Sequence, residues 1–178
     1  MMPADERSRH SGAERSVMFE RILLTVDGSP IAEQAIPYAK ALATCGGGTI
    51  HVLRVAQAIA PLDVTLGSGV YQQLVAQELA AAQRYVDDLV VALRTEGIAA
   101  EGEVLMGDPA SLIMETAART NCRIIVMATH GRSGLGRLVF GSVADQVLRG
   151  ASVPVLMVRA VATKSAPTTP AGEPSQAS

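Results

Sequence analysis

Tryptophan is absent from the chain, and only two phenylalanines and three tyrosines occur among its 178 residues. A surface that stacks single-stranded bases is therefore poorly supplied. An excess of one charge is also missing. Fifteen Lys+Arg against seventeen Asp+Glu leave a formal charge of −2, so there is no basic footprint for a nucleic acid. Cysteine is limited to Cys45 and Cys122, too few for a disulfide framework or a four-thiolate zinc site. Two free thiols in a reducing compartment are the expectation. The three histidines, His10, His51 and His130, are scattered and make no spaced metal pair. No run of about eighteen apolar residues exists to cross a membrane. The opening MMPADERSRHSGAERS has no apolar stretch of the kind a secretory signal needs. These absences exclude nucleic acid and membrane as expected partners and predict a cytoplasmic protein.

What is present is a folded core. Hydrophobic residues make up 48% and charged residues 18%, too apolar a balance for wholesale disorder. Residues 1–18 lack periodicity and read as a disordered leader. Residues 160–178 are dominated by Ala, Pro, Thr and Ser and read as a disordered tail. The expected single domain is 19–159. Within it strand and helix patterns alternate. Arg21–Val26 (RILLTV) predicts a strand. Pro30–Thr44 follows as a helix, with Ser29 as N-cap and Pro30 in the first helical position. Thr49–Val55 predicts a second strand and Gln57–Gly69 a loop. Apolar residues from Tyr71 to Leu93 recur on one face of a long helix, Val70–Glu96. Glu101–Met106 predicts a third strand, and Asp108-Pro109 caps a helix to about Thr120. Arg123–Ala128 (RIIVMA) is the fourth strand, Thr129–Phe140 a glycine-rich loop, and Ser142–Arg149 a helix with a Ser142-x-x-Asp145 capping box. Val153–Val158 (VPVLMV) closes the series. Strands one and four are apolar on both faces, as a parallel sheet covered by helices requires. The class is therefore α/β, a three-layer sandwich around a five-stranded parallel sheet.

In such folds ligands bind beyond the carboxyl ends of the strands, where strand order reverses. That directs attention to the loops after strands one and four. The second loop holds Gly131, Gly134, Gly136 and Gly141, which let backbone amides face an anion. It leads into a helix N-terminus at Gly141-Ser142, whose unpaired amides and dipole favour negative charge. Arg132 and Arg137 are candidate charge partners. These features suit a phosphate chain, although a plain surface loop before a capped helix has the same composition. Two common phosphate motifs are missing. Only Lys40 and Lys164 occur, so there is no P-loop lysine, and no G-x-G-x-x-G follows the first strand. Asp27, in the first loop, either contacts a ligand or forms the turn before Gly28.

The chain resembles the universal stress protein family, and in particular its ATP-binding branch. The resemblance is carried by VDGSP after the first strand, VLRVAQ ending the second, MGDP before the third helix, and MATHGRSGLGRLVFGSVADQVL followed by VPVLMVR. It covers residues 19–159. The ATP-binding branch has the pattern G-x2-G-x9-G-[ST]. Gly131, nine residues and Gly141-Ser142 match it, while Ala128 replaces the first glycine. The resemblance implies an adenine nucleotide hydrolase-like fold with strand order 3-2-1-4-5, and homodimers. It implies that Asp27 and the backbone of Val55 hold adenine. Ala128, Gly131, Gly134 and the amides of Gly141, Ser142 and Val143 would line ribose and phosphates, with Thr129, His130 and Arg132 beside them. ATP with Mg2+ is the implied cofactor, the ion carried by phosphates and water. The last strand, apolar but with Pro154, suits a sheet edge, and the family pairs it across a twofold axis. The implied function is a nucleotide-responsive regulatory homodimer in stress response. A dimer without nucleotide, a cyclic AMP binder and a slow ATPase are the alternatives.

Overall fold

The computed structural model describes residues 19–56, 68–130 and 141–160. The leader, most of the loop after the second strand, the glycine-rich stretch 131–140 and the tail lie outside the described residues. Gly131, Arg132, Gly134, Gly136 and Arg137 belong to that stretch.

Five strands form one parallel sheet: β1 (Arg21–Val26), β2 (Thr49–Ala56), β3 (Ala100–Met106), β4 (Ile124–His130) and β5 (Val155–Ala160). Their spatial order is β3-β2-β1-β4-β5, and all four pairings are parallel. Four α-helices connect them: α1 (Ile36–Gly46), α2 (Ser68–Thr95), α3 (Pro109–Arg119) and α4 (Ser142–Gly150). Side chains alternate across the strands and build two cores. Ile22, Leu24, Ile50, Val52 and Val126 meet Ala39 and Ala43 of α1 and Val86, Val90 and Leu93 of α2. Leu23, Leu53, Ile125 and Met127 meet Ile113 and Ala117 of α3 and Ala144 and Val147 of α4. The sheet is thus sandwiched between two helical layers.

Three local readings are corrected. The segment after β1 is not one helix from Pro30. Ser29 does cap, its Oγ accepting from the Ala32 amide at 3.1 Å, but the turn it caps is a 3-10 turn, Ala32–Ala35. The α-helix begins only at Ile36-Pro37 and ends in Gly47, left-handed at φ 67°. Thr129 and His130 belong to β4 rather than to a loop. The capping box at α4 is not made: Gly141 is the N-cap, without a side-chain bond, and Asp145 instead accepts from Arg149 Nε at 2.9 Å. Strand β5 starts two residues later than VPVLMV suggests. Pro154 precedes it, and its carbonyl accepts from the Ile125 amide. The cap of α3 agrees with expectation, Asp108 accepting from the Ser111 amide at 2.9 Å. That bond holds the Asp108 carboxyl below its ordinary pKa.

Helix α2 is longer than the sheet it covers. Its 28 residues span about 42 Å, against about 26 Å for the eight residues of β2. No residue from Gly69 to Ala81 is buried, whereas Ala82, Val86, Val90 and Leu93 are. In parallel crossovers a helix runs back against its strands, so the overhanging amino half lies at the carboxyl end of the sheet.

Candidate functional site

Strand β1 continues to β2 on one side of the sheet and pairs with β4 on the other. The crossovers diverge there, which leaves a gap above the carboxyl ends of β1 and β4. A cleft of about 250 Å³ occupies it, near the small end of the range for ligand sites, roughly 300 Å³ upward. Alternate strand residues form its floor: Leu53 and Val55 of β2, Met127 and Thr129 of β4. Asp27 stands at one side, and Gly141, Ser142 and Val143 at the start of α4 on the other. Asp27, Val55, Ala128, Thr129, Gly141, Ser142 and Val143 are therefore brought together around one space. His130 ends β4, and Gly131, Arg132 and Gly134 lie outside the described residues. Thr25, Leu53, Pro109, Ile113 and Met127 also line the cleft. Strand alternation alone could have pointed to Leu53 and Met127, which share the faces of Val55 and Thr129.

The electrostatics are polarised. Asp27 is the only charged side chain among the described lining residues. Its Oδ1 accepts from the Ser29 amide at 2.8 Å, an Asx turn, and the second oxygen is left for a donor in the cleft. Opposite it, the first amides of α4 have no preceding helical carbonyl and carry the positive end of the helix dipole. A group that donates hydrogen bonds at one end and is anionic at the other matches both walls. Two further details fit an occupant. Thr129 Oγ1 is buried without a hydrogen-bond partner, a cost of about 1–3 kcal/mol that a polar ligand would relieve. At Gly141 an added β-carbon would meet no described atom within 4 Å, so the protein's own packing does not demand a glycine there. Among the described residues no group of three or more His, Cys, Asp or Glu could hold a metal ion.

Behind the Asp27 loop, on the α2 face, Tyr85 donates its hydroxyl to Glu33 Oε1 at 3.2 Å. Burial first, then the negative charge of Glu33 and this bond, push its phenol up to about 12. The unfolded phenol titrates near 10, so folding favours the protonated form. The stabilisation is complete below pH ~10 and is lost as pH rises toward the folded value. Alkaline titration of phenolate absorbance, uncluttered by tryptophan, will show Tyr85 ionising about two units late, and Glu33→Gln will bring it back toward 10. Ordinary ionisation of Tyr85 in the folded protein would contradict the Glu33 contact.

A second polar cluster lies at the other end of β2. His51 is 7% exposed. Its Nδ1 stands 3.2 Å from Glu101 Oε1 and its Nε2 2.8 Å from Glu103 Oε1. Arg21 pairs with Glu101 at 3.1 Å, and Arg119 pairs with Glu103. The bond to His51, then its charge and that of Arg21, hold the Glu101 carboxyl below the ordinary range. This chain of charges braces β1, β2, β3 and α3 far from the cleft. Cys45 and Cys122 are free thiols, the first exposed and the second buried, and burial pushes the Cys122 thiol up.

The sequence signature of the universal stress protein family matches residues 18–159. This chain belongs to that family. A universal stress protein of Thermus aquaticus is 34% identical over 143 residues, 80% of this chain and 100% of the relative. Among solved structures, the protein MJ0577 superposes with a TM-score of 0.69 at 24% identity, over 82% of this chain and 99% of that one. A universal stress protein of Archaeoglobus fulgidus in complex with dAMP superposes at 0.57, with 21% identity, over 79% and 98%. Another, in complex with cAMP, superposes at 0.54, with 21% identity, over 80% and 98%. These likenesses share the fold: the parallel sheet in the order 3-2-1-4-5, of adenine nucleotide hydrolase-like type. Among the described residues no helix is long and apolar enough to cross a membrane.

Proposed function

We infer that the cleft is an ATP site and that this universal stress protein acts as a nucleotide-responsive regulatory homodimer in the cytoplasm. The observation that carries the reading is the polarity of the cleft, with the Asp27 carboxylate at one wall and the α4 amides at the other. Asp27 and the Val55 backbone suit the donor and acceptor edge of adenine. Ala128, Thr129 and His130 lie along β4 where ribose would pass, and Gly131, Arg132 and Gly134 follow in sequence. The amides of Gly141, Ser142 and Val143 receive the phosphates. Ala128 in place of a glycine adds one methyl at a half-buried position and leaves the cleft open. Mg2+ would be held by phosphates and water, since an ion of this kind keeps much of its hydration. The dAMP and cAMP complexes of two structural relatives support an adenine nucleotide as the ligand class. Hydrolysis, if any, is slow, for no P-loop lysine or arginine-finger arrangement accompanies the cleft.

The dimer rests on β5. It is a sheet edge, and Val155, Leu156 and Met157 along it are only half-buried. An apolar open edge is a template for another strand, and the segment Val153–Val158 would pair with its counterpart in a second copy.

The test begins with the purified protein, denatured and assayed by chromatography for co-purified nucleotide. Stripped protein is then titrated calorimetrically with ATP, ADP and cyclic AMP in the presence of Mg2+. Saturable ATP binding on the order of 10 µM, about −7 kcal/mol, is the expected result, with sedimentation at twice the 18.5 kDa chain mass. Preference for cyclic AMP would change the ligand, and no binding by a folded dimer would leave an interaction protein.

A further inference from the structure

Arg54 forms the last β1–β2 pair, with Val26. Its neighbours Leu53 and Val55 line the cleft, so by strand alternation its side chain leaves from the opposite face. There α2 holds the guanidinium from two directions. Nη2 donates to Glu78 Oε1 at 3.1 Å, and Cζ lies 5.5 Å from the centre of the Tyr85 ring. The Arg54 side chain is only 16% exposed, which strengthens both contacts. Its remaining edge rests on the cleft loop. Gly28 is left-handed at φ +83°, and a β-carbon there would stand 3.2 Å from Arg54 Nη1 and 3.6 Å from Cζ. The guanidinium thus covers the α-carbon of the residue that follows Asp27. Glu78 belongs to the part of α2 that overhangs the sheet, and Tyr85 to the part that packs on it.

We propose that Arg54 is the positioning residue of the cleft's first loop: gripped by Glu78 and Tyr85 of α2, it packs on Gly28 and sets the turn from which Asp27 meets the ligand. The ligand side of this proposal rests on the adenine-nucleotide reading above; the loop side does not. The arrangement makes α2 and the Asp27 turn one mechanical unit. A ligand that draws on Asp27 is then felt by the long helix, and a partner that shifts the helix is felt at the cleft.

The Ser29 amide, which donates to Asp27 Oδ1 at 2.8 Å, reports on the turn. Its hydrogen exchange is measured by NMR in the wild type, Arg54→Met, Arg54→Lys and Glu78→Gln, without ligand. Methionine keeps the length and removes charge and donors; lysine keeps the charge and loses the planar fork. The expected result is Ser29 exchange faster by about tenfold or more in Arg54→Met and by less in Arg54→Lys and Glu78→Gln. The Leu23 and Val126 amides in the sheet should not change. Unchanged Ser29 exchange in folded Arg54→Met overturns the proposal, and if that variant does not fold, Glu78→Gln decides alone. ATP titration follows. Affinity lower by about tenfold in Arg54→Met and partly rescued in Arg54→Lys supports the ligand side. Undiminished affinity with a loosened turn overturns that side. A loosened turn in a protein that binds no nucleotide upholds the role of Arg54 and removes the nucleotide reading instead.

Discussion

Gly141→Val will weaken ATP binding by about a hundredfold, ~2.7 kcal/mol, while the protein stays folded. Gly141 has φ −60° and ψ 156°, a conformation open to any residue, and its β-carbon would touch no described atom within 4 Å. The fold therefore tolerates a side chain there. Valine makes a poorer N-cap than glycine, a loss of under about 1 kcal/mol. That lowers the melting temperature by about 2–4 °C. The cleft does not tolerate it. The isopropyl group projects beside Ser142 and Val143, where the free amides face the space between α4 and Asp27, and it separates an anion from those donors. Calorimetry with ATP and a thermal melt on the same sample check both halves. Equal affinity in folded Gly141→Val would take the start of α4 out of the site. Gly141→Ala should fall between the two.

Gly102→Val acts on stability instead. Gly102 lies in β3 under α2, and a β-carbon there would stand 2.4 Å from Val86 Cγ1 and 3.0 Å from Val90 Cγ2. Both valines are buried, and a β-branched side chain in a helix has essentially one rotamer, so neither can turn aside. The helix must lift from the strand. Overpacking of this kind costs about 1–3 kcal/mol, and valine, with two further methyls, belongs at the upper end. The expected fall in melting temperature is about 5–10 °C. Val86→Ala in the same chain should recover part of the loss, a coupling of about 1 kcal/mol or more in a double-mutant cycle. A melting temperature unchanged in Gly102→Val would mean that α2 does not sit where the structure has it. Because Glu78 and Tyr85 of the same helix hold Arg54, the variant should also quicken exchange at the Ser29 amide.

The parts of this architecture that local sequence encodes were readable in advance. β1 and β4 are buried on both faces and so carry unbroken apolar runs, and Asp108-Pro109 marks the start of α3 by cap chemistry alone. Both loops of the cleft follow from the rule that ligands gather where strand order reverses, and the glycines with Asp27 filled in the residues. The misses have physical reasons. Ser29-Pro30 offers the same cap to a 3-10 turn as to an α-helix, and nothing local distinguishes them. Ser142 and Asp145 have capping-box spacing, but Gly141 takes the cap position and Arg149 draws Asp145 away. The charge chain through His51 depends on strand register, His51 standing opposite Glu101, residues fifty apart in sequence. Arg54 was passed over because its importance comes from a helix that returns to it from beyond a long connection.

The two rims of the sheet differ in kind. β3 carries Glu101 and Glu103, tied into ion pairs with Arg21, His51 and Arg119, whereas β5 offers valine, leucine and methionine. A charged rim discourages a strand from adding to it, and an apolar one accepts it. The sheet therefore has a valence of one. A copy that docks on β5 by a twofold axis uses up the open rim of both molecules, and the guarded rims then face outward. Growth stops at the first addition, so that even crowded copies of this chain have no sheet-to-sheet route to a fibre.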